Sequence, residues 1–313
     1  MPRLALGPWT AHTLETGFLW LDGGAMFGSV PKALWSRTNP PDDKNRIRLA
    51  MRCLLLEGEG RRILVDDGVG DKFAQRFGEI YRVELEPHTL ERSLGQLGMR
   101  VEDVTDVVLT HLHFDHAGGS TRRIGERLVP RLPRARYFVQ RRNWENAAAP
   151  NPRERASYLP ENFEPLREAG VLTLLDGPQQ PWPGIELFTA DGHTRGQQLV
   201  RVSGDGQTLY FVADLIPTAS HVRIPFVMGY DVAAIETMAE KRALLERACR
   251  ENAWICIEHD PAIALARPVA DGDDFGWGET IPAELAASPA PAAGPAPAAG
   301  PAPAASPAPA AGR

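Results

Sequence analysis

The chain has 313 residues, 43% hydrophobic and 24% charged, with a net charge of -6. These values are ordinary for a soluble globular protein, and a folded part of about 280 residues is long enough for one large domain. They argue against a nucleic-acid partner, because the arginines come as scattered pairs (Arg61–Arg62, Arg122–Arg123, Arg141–Arg142) and not as one basic stripe.

In chain order, the first twenty residues show no unbroken apolar core and no small-residue cleavage pattern. No later run approaches the ~20 apolar residues that cross a bilayer, so no membrane partner is expected. Strand-like runs rich in Val, Ile, Leu and aromatics fall at 51–56, 62–66, 106–110, 136–139, 171–175, 185–189, 198–202, 208–213 and 254–258. Helical stretches fall between them at 71–77, 89–97, 142–148, 162–169 and 231–252. The last carries apolar residues at Ile235, Met238, Leu245 and Ala248 and is the clearest. Hairpin-like strand pairs beside strand–helix–strand units fit two face-to-face sheets with helices outside better than a doubly wound parallel sheet. From Pro289 the hexad PAPAA(G/S) repeats four times to Gly312. It has no large apolar side chain to offset the entropy of ordering. The expected organisation is a folded domain over 1–285 and a disordered tail over 286–313. Cys53, Cys249 and Cys256 lack a spacing pattern and read as reduced thiols of a cytoplasmic protein.

The chemistry concentrates in TDVVLTHLHFDHAGG, residues 105–119. A buried strand ends at Thr110, and His111, His113, Asp115 and His116 follow within six positions. Imidazole and carboxylate are the donors that borderline divalent metals such as Zn²⁺ prefer. Left unpaired in a packed interior they would be costly. Gly118 and Gly119 are expected to let the backbone turn sharply after them. A polar loop with solvated histidines is the plainer alternative. Against it, further His and Asp residues recur at other strand ends.

Residues 111–116 match HxHxDH, the signature of the metallo-β-lactamase superfamily, which the chain resembles over roughly residues 50–262. TADGHTRGQ places His193 like that family's third histidine. YFVADL places Asp214 like its bridging aspartate, and ICIEHDP places His259 like its last histidine. ILVDDG (63–68) is similar to the early LxDTG element, with Asp67 where threonine usually stands. The resemblance implies an αββα sandwich of two packed mixed sheets flanked by helices. It implies a first metal on His111, His113 and His193, a second on Asp115, His116 and His259, and Asp214 bridging both. Asp66 would accept a proton from a ligand imidazole; a turn carboxylate capping the strand end is the rival. Two divalent ions, Zn²⁺ first and Mn²⁺, Fe²⁺ or Co²⁺ as alternatives, would share a hydroxide as nucleophile. Asp115 would pass a proton to the leaving group.

Within that family His113 stands where the di-iron flavoprotein branch has Glu, which favours hydrolysis over redox chemistry. Asp214 stands where zinc β-lactamases carry Cys or lack a bridging carboxylate, which argues against antibiotic hydrolysis. The segments 22–35 and 213–231 look most like quorum-quenching N-acyl homoserine lactonases. Lactone opening is therefore the expected activity. Organophosphate or aryl ester hydrolysis of the methyl-parathion-hydrolase kind is the alternative, and a glyoxalase-II-like thioesterase or a purely structural metal protein is further off. Some lactonases carry a tyrosine three residues after the bridging aspartate, where this chain has Pro217. The oxyanion would then rely on the metals, or on His221 or Tyr230. Met26, Phe27, Phe226 and Met228 are candidates for an apolar acyl pocket, with core or homodimer packing as the rival. His221 is expected in a loop above the site, touching substrate. His12 and His88 are expected to be solvated.

Overall fold

The computed structural model describes residues 2–283; the repeat tail lies outside the described residues. Strands β1 (Arg3–Leu6), β2 (Trp9–Asp22), β3 (Arg46–Gly58), β4 (Arg61–Val65) and β5 (Asp106–Val108) open the first sheet. A separate hairpin, β6 (Thr121–Ile124) and β7 (Arg127–Pro130), follows, and β8 (Arg136–Gln140) and β9 (Leu172–Leu175) complete the sheet in the order β1-β2-β3-β4-β5-β8-β9. The second sheet runs consecutively: β10 (Gln179–Trp182), β11 (Ile185–Ala190), β12 (Gln197–Gly204), β13 (Gln207–Phe211), β14 (Trp254–Cys256), β15 (Ile263–Asp271) and β16 (Asp274–Pro282). Helices α1 (Gly23–Phe27), α2 (Lys32–Trp35), α3 (Gln75–Tyr81), α4 (Leu90–Gln96), α5 (Phe114–Ala117), α6 (Arg141–Ala148), α7 (Pro160–Glu168) and α8 (Ala234–Arg250) fill the connections.

The layers follow from strand alternation. Leu54 and Leu56 of β3 and Val65 of β4 meet Val200, Val202, Leu209 and Phe211 between the sheets. Their neighbours Cys53, Leu55 and Leu64 point the other way, toward Leu94 of α4 and Phe163 of α7. On the far side Tyr210 and Ile255 pack under Leu244, Leu245 and Ala248 of α8. The result is the αββα sandwich. Among the described residues no helix is long and apolar enough to cross a membrane, and Cys53, Cys249 and Cys256 are free thiols.

Four readings of the sequence need correction. The N-terminal region, where the sequence offers no strand signal, holds the fourteen-residue strand β2. Its inward polar side chains hide the alternation, and Gly17 (φ 125) bulges the register between Glu15 and Phe18. The helix expected at 71–77 forms instead over Gln75–Tyr81. The long hairpin β15–β16 was also unanticipated, although its Asp271-Gly272 turn is a recognisable signal. His12 is buried in β2 and His88 packs edge-on against Phe18, so neither is simply solvated.

One buried cation organises the loop after β13. Lys241 of α8 is fully buried and donates to the carbonyls of His221 (3.0 Å), Arg223 (2.8 Å) and Phe226 (2.7 Å). Three carbonyls match the three N–H bonds of one ammonium. Lys241→Met is expected to leave all three unpaired and to lower unfolding free energy by about 2–4 kcal/mol. Urea melts read the loss, and amide exchange should rise first in residues 221–226. A wild-type midpoint would remove this role.

Candidate metal centre

Every ligand-type residue lies just beyond the C-terminal end of a strand. His111, His113, Asp115 and His116 follow β5, His193 follows β11, Asp214 follows β13 and His259 follows β14. Two of the turns are strained: Asp66 (φ 56) after β4 and Ala213 (φ 42) before Asp214 adopt left-handed backbone. Gly118, in contrast, has an ordinary helical φ of -66°, so the glycine pair is not there for the turn. A Cβ on Gly118 would meet the Val69 carbonyl oxygen at 2.3 Å, and one on Gly119 the Asp67 carbonyl oxygen at 2.1 Å. Close approach of two segments is what demands glycine.

The donor atoms converge. One atom each from His111, His113, His193 and Asp214 lie within 4.8 Å of one another, as do one each from Asp115, His116 and His259. Asp214 sits between the two groups, with carboxylate oxygens 3.1 Å from His193 Nε2, 3.0 Å from His259 Nε2, 3.6 Å from His116 Nε2 and 3.9 Å from His111 Nε2. The outward ring nitrogens fix the tautomers. His259 Nδ1 donates to the Ala50 carbonyl (2.8 Å) and His193 Nδ1 to Asp231 (3.0 Å). His116 Nδ1 donates to Asp66 (3.0 Å). Thr110 Oγ1 donates to Asp66 (2.6 Å) and accepts from His111 Nδ1 (3.1 Å). Asp66 thus supports two imidazoles, one directly and one through a hydroxyl.

With those tautomers the inward nitrogens of His111, His116, His193 and His259 carry lone pairs, and so does that of His113 when its proton sits on the outward Nε2. His111 Nε2 faces His113 Nδ1 at 3.0 Å, and His116 Nε2 faces His259 Nε2 at 3.2 Å. Lone pairs so opposed need a positive charge between them, and Asp214 Oδ1 is likewise buried without a hydrogen-bond partner. Protonation is one relief, and the shifts of His193 and His259 run that way. Burial opposes charge on His193, yet Asp214 and Asp231 raise it to about 10. Burial also opposes charge on His259, which Asp214 and Glu258 raise to about 9. Burial and the neighbouring imidazoles hold His111 well below its usual range. Burial pushes Asp214 up, but His193, His116 and His259 prevail and hold it well below the carboxylate range. A divalent cation relieves the same repulsion at every ring simultaneously, so the N and O donor set fits such a metal.

A cavity of about 310 Å³ opens over these residues. Of the expected substrate contacts, Met26, Met228 and Tyr230 line it, and Phe27, His221 and Phe226 do not. His221 is 1% exposed, donates from Nε2 to the Met26 carbonyl (2.8 Å), accepts from Thr218 and stacks on Phe27 (4.6 Å). Burial lowers it to about 3. It is a neutral strut behind the wall and cannot reach a substrate. Phe226 sits edge-on to Phe27 in the same layer. Pro217, in the position of the tyrosine of some lactonases, accepts the N–H of His259 (2.9 Å). Sequence reasoning missed Asp231, Glu154 and Glu258. Glu258 is fully buried 3.2 Å from His116 Nδ1. No spacing marks the first two, whereas Glu258 adjoins a ligand.

The family model described as metallo-beta-lactamase superfamily matches residues 50–259. A probable metallo-hydrolase of Mycobacterium tuberculosis is 28% identical over 262 residues, covering 72% of this chain and 80% of its own. An N-acyl homoserine lactonase of Bacillus cereus is 26% identical over 230 residues, covering 69% and 83%. Among solved structures, a probable metal-dependent hydrolase from Staphylococcus aureus superposes with a TM-score of 0.84 at 27% identity, over 91% of this chain and all of that one.

Proposed function

Because the chain belongs to the metallo-beta-lactamase superfamily, we propose that it is a dinuclear metal hydrolase that opens lactones, N-acyl homoserine lactones first among them. The observation that carries the reading is the pair of donor groups joined by Asp214 at the floor of a cavity with a largely apolar wall, Met26, Leu49, Phe114 and Met228 among its residues. His111, His113 and His193 would hold a first divalent cation and Asp115, His116 and His259 a second, Zn²⁺ by preference, and the pair would supply Lewis acidity and a water acidified to a pKa of about 7. The apolar wall takes the acyl chain and keeps water from it. Asp115 lines the cavity beside the histidines and moves a proton to the departing ring oxygen. The similarity to a Bacillus cereus lactonase supports this substrate class; organophosphate or aryl esters are the second choice. We place the activity in the cytoplasm, acting on a small molecule without nucleic acid or membrane.

The test is turnover of short- and long-chain acyl homoserine lactones beside paraoxon and S-lactoylglutathione, with metal content measured on the same sample. Lactone cleavage should dominate at two metals per chain, and a dominant phosphotriester or thioester would replace the substrate assignment. In the same assay Asp115→Asn is expected to weaken the second metal and, with excess Zn²⁺ restoring two metals per chain, still to lose about 100-fold in kcat. Full turnover with both metals bound would remove the proton role.

A further inference from the structure

We propose that Glu154 is a positioning residue for His113, the acceptor of that ring's outward N–H. This rests on the reading that the five histidines hold metals. The observation behind it is an asymmetry among those rings. Four of them have the outward nitrogen hydrogen-bonded, to Thr110, Asp66, Asp231 and the Ala50 carbonyl. His113 is turned the other way, with Nδ1 inward and Nε2 outward, and its Nε2 is buried with no hydrogen-bond partner. The carboxylate facing that nitrogen is Glu154, 4% exposed, with Oε1 4.0 Å from it. About an ångström of movement, or one bridging water, closes that gap.

Glu154 is built in place. Its Oε1 accepts from Thr194 Oγ1 (2.5 Å) and Asn146 Nδ2 (3.2 Å), and its Oε2 accepts from Asn151. Thr194 is the residue after His193, so the carboxylate is braced by the chain that carries another ligand. Tyr158 packs over the His113 ring at 4.7 Å and shares a bridge with its backbone. The adjacent Arg153 donates to the carbonyls of Gly229 and Asp231, and Asp231 holds His193. The 151–158 loop therefore serves two imidazoles of the first group: Glu154 faces one, and Arg153 holds the backbone of Asp231, whose carboxylate supports the other. An ionised acceptor on the outward nitrogen fixes the tautomer and raises the basicity of the inward one.

Glu154→Gln keeps size and most local hydrogen bonds while removing the charge. With Co²⁺ titrated against a competing chelator, one of two binding steps is expected to weaken about tenfold. The visible Co²⁺ spectrum should change, and the melting temperature of the chelator-stripped protein should not. Wild-type affinity with an unchanged spectrum overturns the proposal. Should the variant fail to fold, the wild-type Zn²⁺-loaded protein decides: a His113 Nε2–H proton protected from exchange supports the assignment, and its absence overturns it. A wild-type chain that takes up no metal overturns the parent reading as well, which separates the two failures.

Discussion

Asp214→Asn is expected to lower kcat/KM by about 1,000-fold, some 4 kcal/mol of barrier, and to leave the purified protein short of metal. The aspartate stands among four ring nitrogens at 3.0 to 3.9 Å, and among the described residues it is the one carboxylate that reaches both donor groups. An amide keeps the shape and loses the charge that would balance two divalent cations. It also turns N–H bonds toward lone pairs already opposed at 3.0 and 3.2 Å. Metal analysis after dialysis, together with turnover of the best substrate, checks the prediction. A variant that holds two metals per chain and turns over within tenfold of wild type would show that Asp214 does not join the two groups.

The second large effect is on stability. Arg52 of β3 is fully buried; its Nε donates to Glu15 at 2.6 Å and its Nη1 to the carbonyls of Ile257 and Ile263. It therefore reaches from the first sheet to the residue that follows β14 and the first residue of β15, on either side of His259. Arg52→Met should cost about 3–5 kcal/mol, because Glu15 is left as an uncompensated buried carboxylate and two carbonyls lose their donor. For a domain of this size that is a fall in Tm of about 10 °C. Adding Glu15→Met should recover the part due to the stranded carboxylate, though not the part due to the carbonyls. A single variant within 1 kcal/mol of wild type in urea would contradict this account.

Much of the fold and nearly all of the donor set could be read from the sequence, and the exceptions share a cause. Strands β3 to β5 and β11 to β14 announce themselves because neighbours such as Leu54 and Leu55, Val107 and Val108, and Tyr210 and Phe211 are apolar on opposite faces of sheets covered on both sides. Strand β2 does not, because Thr13, Glu15 and Thr16 are buried polar residues whose partners, such as Arg52, lie far along the chain. The seven donors are legible because each follows a strand in a short motif. Glu154 and Asp231 act on those donors from loops, across 41 and 38 residues of chain, and only folding brings them there. His221 misled for the complementary reason: a histidine in a loop near the site looks functional until its two nitrogens are found satisfied by Met26 and Thr218.

The divided origin of the donors links two equilibria. Residues up to β9 bring Asp66, His111, His113, Asp115 and His116; residues from β10 onward bring His193, Asp214, Asp231 and His259. The two halves are stitched beside the site, where Ala50 donates its N–H to the His259 carbonyl and Arg52 donates its own to Glu258. A chain cut in the 176–178 connection would leave neither fragment with a complete first group, and the joining Asp214 would sit in only one. Docking of the halves and capture of the ion are then reciprocal: whatever factor one contributes to the other's affinity is returned in full. Ion captured at 1,000 times its dissociation constant adds about 4 kcal/mol, and that free energy acts on the seam between the sheets.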